Sequence, residues 1–181
     1  YVPVRDIWNM QSKGKRLMQF AIHTMGQLAP EFAQAIDKID AEGYDCDYIS
    51  EKYLLNTKFV DGMLQTSGGA RYKALIFPNN SNILTDEVKQ HINNLKAQGA
   101  TIIIGTDSSA LAVAAKSEEM KTHLGLKLIR RSNEKGYHYF IANLTKQDIS
   151  EYVQLAVPYK SAMWYDPLNG NRYAAQIMDN K

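Results

Sequence analysis

Polar side chains that could contact a ligand follow two predicted strands of this chain. Asn79 and Asn80 follow one short apolar run of strand type, and Asp107 and Ser108 follow the next such run. Ligands of open parallel sheets bind beyond the carboxyl ends of the strands, where amide, hydroxyl and carboxylate groups can form hydrogen bonds with them. These four residues are therefore candidate ligand-binding residues. Because Asn, Ser and Asp also form turns and cap helices, a purely structural role stays open.

His23 is the fifth candidate ligand-binding residue. It lies upstream of a predicted helix that starts at Pro30, where a loop over the sheet could carry it toward the other loop ends. The four histidines form no close ligand pair, and one cysteine cannot build a cysteine cage around a metal. We therefore expect neither a metal site nor a cofactor.

Cys46 could be imagined as the nucleophile of an amidotransferase-like enzyme. Such a nucleophile sits at a sharp turn from strand to helix, flanked by small residues. Cys46 instead lies between Asp45 and Asp47 inside a predicted strand, where two carboxylates disfavour a thiolate. We expect no catalytic residue in this chain, and the amidotransferase-like enzyme stays as an alternative.

The adjacent acids Glu118 and Glu119 are the most conspicuous carboxylate pair. Glycoside hydrolysis needs two acids that project from separate elements into one cleft. Neighbouring residues of a helix point in different directions. The sequence therefore predicts that both glutamates are solvated helix charges.

The first two-thirds of the chain alternates helical and extended periods. Helical spacing follows Pro30, and Thr85 is placed to cap a second helix. Strand-type runs occupy 44–50, 72–78 and 101–104. The order strand, helix, strand from 72 to 104 predicts a βαβ crossover, which implies parallel strands. We therefore expect an open, mostly parallel sheet with helices on both faces.

The period changes to two beyond Gly125, which predicts a short antiparallel β segment. We place the domain boundary there, with an α/β domain at 1–125 and a β segment at 126–181. The second part is short enough to be an incomplete β-sandwich or an addition to the edge of the first domain's sheet.

Composition limits the partners of the chain. The net charge is +2, from 21 basic and 19 acidic residues spread over 181 positions, which argues against nucleic acid as a partner. No apolar run approaches the roughly 20 residues that a membrane-spanning helix needs. The chain has no starting methionine and no leader of secretory type, so we expect it to be a piece of a longer protein.

Six separated stretches cover most of the chain from Gly43 to Gly170. They are 43–50 (GYDCDYIS), 62–64 (GML), 72–78 (YKALIFP), 99–100 (GA), 139–143 (YFIAN) and 164–170 (WYDPLNG). In their order and spacing they resemble the region that follows the catalytic barrel in large bacterial glycosidases. The similarity is to the α-L-rhamnosidases of glycoside hydrolase family 106 and to related multidomain enzymes with family 2-type sugar-binding modules.

The resemblance implies a flavodoxin-like or class I glutamine amidotransferase-like three-layer sandwich with a mostly parallel sheet, followed by the antiparallel segment. It also implies an accessory domain that supports a catalytic barrel in the same polypeptide. The family's catalytic glutamates lie on that barrel, and no residue here matches them. The parent enzymes resemble periplasmic or extracellular degraders of rhamnose-containing plant polysaccharides.

A carbohydrate-binding module is the main alternative function. Trp8, Trp164 and the many tyrosines could stack on sugar rings, although large aromatic residues are first of all core material.

Overall fold

The computed structural model describes residues 1–11 and 24–178. The chain divides into two compact units, Tyr1–Ser117 and Glu118–Lys181. The boundary expected from the sequence, Gly125, lies inside the second unit. Met120 packs with Leu126 and Leu128 there, so the short helix before Gly125 shares its core with the strand that follows.

The first unit contains six helices and five strands among its described residues. The helices are α1 Val4–Gln11, α2 Met25–Leu28, α3 Pro30–Ala41, α4 Glu51–Leu54, α5 Asp86–Ala97 and α6 Ser108–Ala114. The strands are β1 Lys58–Val60, β2 Met63–Gln65, β3 Arg71–Tyr72, β4 Ala74–Phe77 and β5 Thr101–Ile104.

The predicted βαβ crossover is confirmed. β4 and β5 pair in parallel, from Ala74 opposite Thr101 to Phe77 opposite Ile104, and α5 connects them. The Thr85 side chain accepts a hydrogen bond from the Val88 N–H at 3.3 Å, which caps α5 as its sequence predicts. This helix buries an apolar face, and its buried side chains are Val88, Ile92 and Leu95.

The expected flavodoxin-like or amidotransferase-like sandwich is wrong. The sheet of β4 and β5 has only two strands, and the other sheets of the described chain are small and antiparallel. Residues 44–50, a predicted strand, contain no regular secondary structure. The first two residues of the chain form hydrogen bonds with both this stretch and β4. The Tyr1 amine donates to the Ile76 carbonyl at 2.7 Å, and the Val2 N–H donates to the Ile49 carbonyl at 2.9 Å.

A short hairpin turns at Asp61 and Gly62, a residue pair that is typical of such turns when it lies between apolar residues. β1 and β2 pair in antiparallel register, with Val60 opposite Met63. Both turn residues have positive φ angles, 48° at Asp61 and 73° at Gly62. This two-residue turn matches the right-handed twist of the flanking strands, which is why Asp-Gly favours it. β3 extends this sheet to three antiparallel strands.

The second unit contains one short helix and two separate hairpins. These elements are α7 Glu119–Thr122, β6 Lys127–Asn133, β7 Gly136–Ala142, β8 Met163–Tyr165 and β9 Arg172–Ala174. β6 pairs with β7 and β8 pairs with β9, both antiparallel, as the period of two predicts for this region. The run 153–157, which has a strand-like pattern, contains no regular secondary structure.

No helix in the described part of the chain is both long enough and apolar enough to cross a bilayer.

Candidate functional site

Asn79 forms a turn beyond the carboxyl end of β4. Its side-chain oxygen accepts hydrogen bonds from the Ser81 N–H and the Ser81 hydroxyl, both at 2.9 Å. Its side-chain nitrogen donates to the Glu31 carboxylate in the first turn of α3. Both ends of this amide are thus engaged within the protein, while the neighbouring Asn80 is exposed.

Asp107 and Ser108 lie beyond the carboxyl end of β5, as predicted. The Asp107 carboxylate caps α6 by accepting from the Ser109 N–H at 3.0 Å and from the Ser109 hydroxyl at 2.9 Å. These two hydrogen bonds, the backbone one first, lower the pKa of Asp107. The Ser108 hydroxyl donates to the Glu42 carboxylate at 2.5 Å.

The two groups of candidates lie at opposite ends of α3. Asn79 binds Glu31 in the first turn, and Ser108 binds Glu42 directly after the last turn. The helix has 12 residues and is therefore about 18 Å long. Its contacts anchor the loops after β4 and β5 separately, and they do not gather the candidate residues around one ligand. The fifth candidate, His23, lies outside the described residues.

The segment around Cys46 does not form the turn that a catalytic thiol requires. Cys46 is exposed in the irregular stretch 44–50, and α4 begins only at Glu51. The Tyr72 hydroxyl donates to the neighbouring Asp47 carboxylate at 2.7 Å. Burial and this hydrogen bond raise the pKa of Tyr72 to about 12.

Glu118 is buried, so the prediction that it is a solvated helix charge is wrong. Its side chain is 1% exposed. One carboxylate oxygen accepts from the Arg130 guanidinium and from the Tyr139 hydroxyl, both at 2.7 Å. The other accepts from the Ala156 N–H at 3.0 Å. This buried carboxylate joins β6, β7 and the segment at Ala156.

The electrostatics around Glu118 are those of a structural network. Burial, followed by the hydrogen bond to Glu118, raises the pKa of the Tyr139 phenol. The hydroxyl therefore stays protonated and donates to the carboxylate. Glu119 is exposed, as predicted, and one of its oxygens accepts from the Gln154 N–H at 2.7 Å.

The β8–β9 hairpin presents aromatic side chains on both of its faces. Trp164 lies directly opposite Tyr173, and the two side chains are 53% and 54% exposed. On the other face, the Arg172 guanidinium lies over the Tyr165 ring, 5.2 Å from its centroid. Such rings can stack on a sugar or pack against another protein surface.

No metal centre is evident among the residues that the structure describes. Within residues 1–11 and 24–178, no group of three or more histidine, cysteine, aspartate or glutamate side chains is arranged to hold a metal ion.

No protein-family model matches the chain, and no curated protein shows significant similarity to it.

Proposed function

We propose that this chain is a non-catalytic accessory region of a secreted α-L-rhamnosidase-like glycoside hydrolase. In this proposal it supports a catalytic barrel in the same polypeptide, and the parent enzyme degrades rhamnose-containing plant polysaccharides. The proposal rests on the order and spacing of the sequence stretches that resemble family 106. It does not require a flavodoxin-like sheet.

The exposed β8–β9 hairpin is the structural observation that supports an accessory role best. An isolated two-stranded hairpin is at best marginally stable in water. Large exposed apolar patches on a soluble protein mark interaction surfaces. The exposed large apolar side chains of this region are Met163, Trp164, Tyr165, Leu168, Tyr173, Ile177 and Met178. A hairpin of this composition is suited to packing against another domain.

The corner between β8 and β9 supports the same interpretation. The Asp166 carboxylate accepts from the Leu168 N–H at 2.9 Å and from the Asn169 side chain at 2.7 Å. The Gly170 N–H donates to the Asp166 carbonyl at 2.8 Å. The corner is therefore held by its own hydrogen bonds, and Leu168, 95% exposed, projects from it. A self-supported turn can present apolar side chains to a neighbouring surface.

Sequencing the gene on both sides of this coding segment tests the proposal. The expected result is one reading frame that encodes, before Tyr1, a barrel with two acids placed for glycoside hydrolysis. A reading frame without such a barrel would contradict the proposal.

Carbohydrate binding is a second candidate function, favoured by the opposed Trp164 and Tyr173 rings. Calorimetric titration of the chain with rhamnose-containing oligosaccharides tests it. Saturable heat that Trp164→Ala abolishes would support binding at this hairpin. An absence of heat at millimolar oligosaccharide would reject it.

A further inference from the structure

We propose that the outer face of the β6–β7 hairpin binds an extended acidic peptide segment that carries one apolar side chain. The outer face consists of the residues at positions 127, 129, 131, 138, 140 and 142. This inference goes beyond the glycosidase proposal, because it rests on the geometry and charge of the hairpin alone.

The two faces of this hairpin differ in their surroundings. Side chains alternate between faces along a strand, and directly opposed residues share a face. Leu128 and Ile141 are opposed on the inner face and pack in the core of the second unit, together with Tyr139. Ile129 and Phe140 are opposed on the outer face, and their side chains are 58% and 63% exposed.

Ile129 and Phe140 form one continuous apolar spot. Directly opposed side chains of an antiparallel pair have Cβ atoms about 4.5–5.5 Å apart. A hairpin with one solvated face ordinarily carries polar residues there. The spot is therefore an unusual feature of an exposed face and provides a site for an apolar side chain of a partner.

Positive charge lies on both sides of the apolar spot. Lys127 precedes Ile129 by two positions on β6, and Arg131 follows it by two, opposite His138. None of the six outer-face positions carries an acid. Along β6 the outer face thus reads cation, apolar, cation, with neighbouring positions about 7 Å apart.

An extended peptide has the same spacing between alternate side chains. A segment with an acid, an apolar residue and a second acid at alternate positions therefore complements the outer face in both charge and register. Nucleic acid fits less well, because a few cations around an apolar centre provide few phosphate contacts.

Fluorescence anisotropy with the 181-residue chain tests this proposal. The probe is a labelled seven-residue peptide with Glu, Leu and Glu at alternate positions and Thr or Ser elsewhere. We expect saturable binding that weakens by at least about tenfold in Phe140→Ser, since truncation of a central aromatic residue has an effect of this size. Arg131→Glu should weaken binding by a similar factor, because it places a like charge against the peptide.

Lys135→Glu is the matched control, because it makes the same charge change in the turn of the hairpin, off the outer face. It should change binding by less than about threefold, since distant exposed charges are screened by salt. A peptide with Lys in place of Glu should not bind.

Three results would overturn the proposal. The first is that the acidic peptide does not bind. The second is that Phe140→Ser and Arg131→Glu bind it as tightly as the parent chain does. The third is that an oligothymidylate of equal net charge binds more tightly than the peptide. Both variants alter exposed side chains separately, so loss of folding in one leaves the other as the test. Circular dichroism identifies the folded variants.

Discussion

Glu118 connects more parts of the second unit than any other side chain described above. Its carboxylate is buried and accepts hydrogen bonds from Arg130, Tyr139 and the Ala156 backbone. A hydrogen bond to a charged group contributes about 2 kcal/mol, and a neutral amide at position 118 would weaken the hydrogen bonds that this carboxylate accepts. We expect Glu118→Gln to lower the local stability of the β6–β7 hairpin by about that amount, measured by hydrogen exchange of its backbone amides.

Glu134→Gln is the control for this prediction, because Glu134 is exposed in the turn of the same hairpin. It should change the free energy of local opening by less than about 0.5 kcal/mol. If the hairpin amides of Glu118→Gln exchange as slowly as those of the parent chain, Glu118 does not stabilise the β6–β7 hairpin and the prediction is wrong.

Tyr72 provides a pH-dependent prediction. Its pKa is raised to about 12 in the folded chain, and an unperturbed tyrosine titrates near 10. The folded state therefore holds the proton more tightly than the unfolded state does. This contribution to stability is complete below about pH 10 and is lost as the pH rises through about 12.

Ultraviolet absorbance of the phenolate detects this group. In Tyr72→Phe, one tyrosine equivalent should disappear from the late part of the alkaline titration, near pH 12. Asp47→Asn should move that equivalent to lower pH, because the Tyr72 hydroxyl loses its anionic acceptor. A titration curve that both substitutions leave unchanged would contradict the assigned pKa.

Residue roles could be predicted from the sequence where local chemistry determines them. Thr85 and Asp107 cap helices, and Asp61-Gly62 forms a hairpin turn. The role of Glu118 could not be predicted in this way, because the sequence around it has a helical pattern and indicates a position within a helix. It stands instead at the position before α7, so its side chain enters the core. Leu128 and Arg130 alternate with exposed residues along β6. This alternation could have indicated that Arg130 faces inward and needs an acidic partner.

Element α5 shows how much of a helix its sequence determines. The Thr85 hydroxyl accepts from the Val88 N–H, which would otherwise lack a partner. Thr85→Ala should therefore destabilise the first unit by about 1 kcal/mol, measured by denaturant unfolding monitored at helical circular dichroism.

Thr85→Ser should retain most of that stability, since serine offers the same acceptor at this position. Equal unfolding midpoints for Thr85→Ala and the parent chain would show that the cap contributes nothing.

Strand pairing was less predictable than element identity. Periodicity and apolar runs in the sequence identify α3, α5, β4 and β5. It does not determine how many strands join one sheet, because that depends on hydrogen bonds between distant segments. The Val2 N–H binds the Ile49 carbonyl, a contact that nothing local in either segment predicts. The prediction of a large parallel sheet was wrong for this reason.

The β8–β9 hairpin gives a prediction about its surroundings. Trp164→Ser with Tyr173→Ser changes only exposed side chains, so the isolated chain should lose less than about 0.5 kcal/mol per substitution. In the complete polypeptide that we propose, the same pair should lower the melting temperature, because the rings would then be buried against a neighbour. Equal effects in both settings would contradict a docking role for the hairpin.

At the scale of the whole molecule, two compact units follow one another. The first has three buried apolar clusters among its described residues, and the second has one. The described candidate polar residues hold turns, helix caps and helix ends. Large apolar side chains are exposed in both units, and in the second unit they include residues of both hairpins.

Hydrolysis of α-L-rhamnosides tests the central claim most directly. The purified 181-residue chain and the product of the complete gene are each incubated with a rhamnose-containing plant polysaccharide, and released rhamnose is measured. We predict release by the complete product and none by the chain alone. Release by the chain alone that a point substitution within it abolishes, or no release by the complete product, would contradict the account.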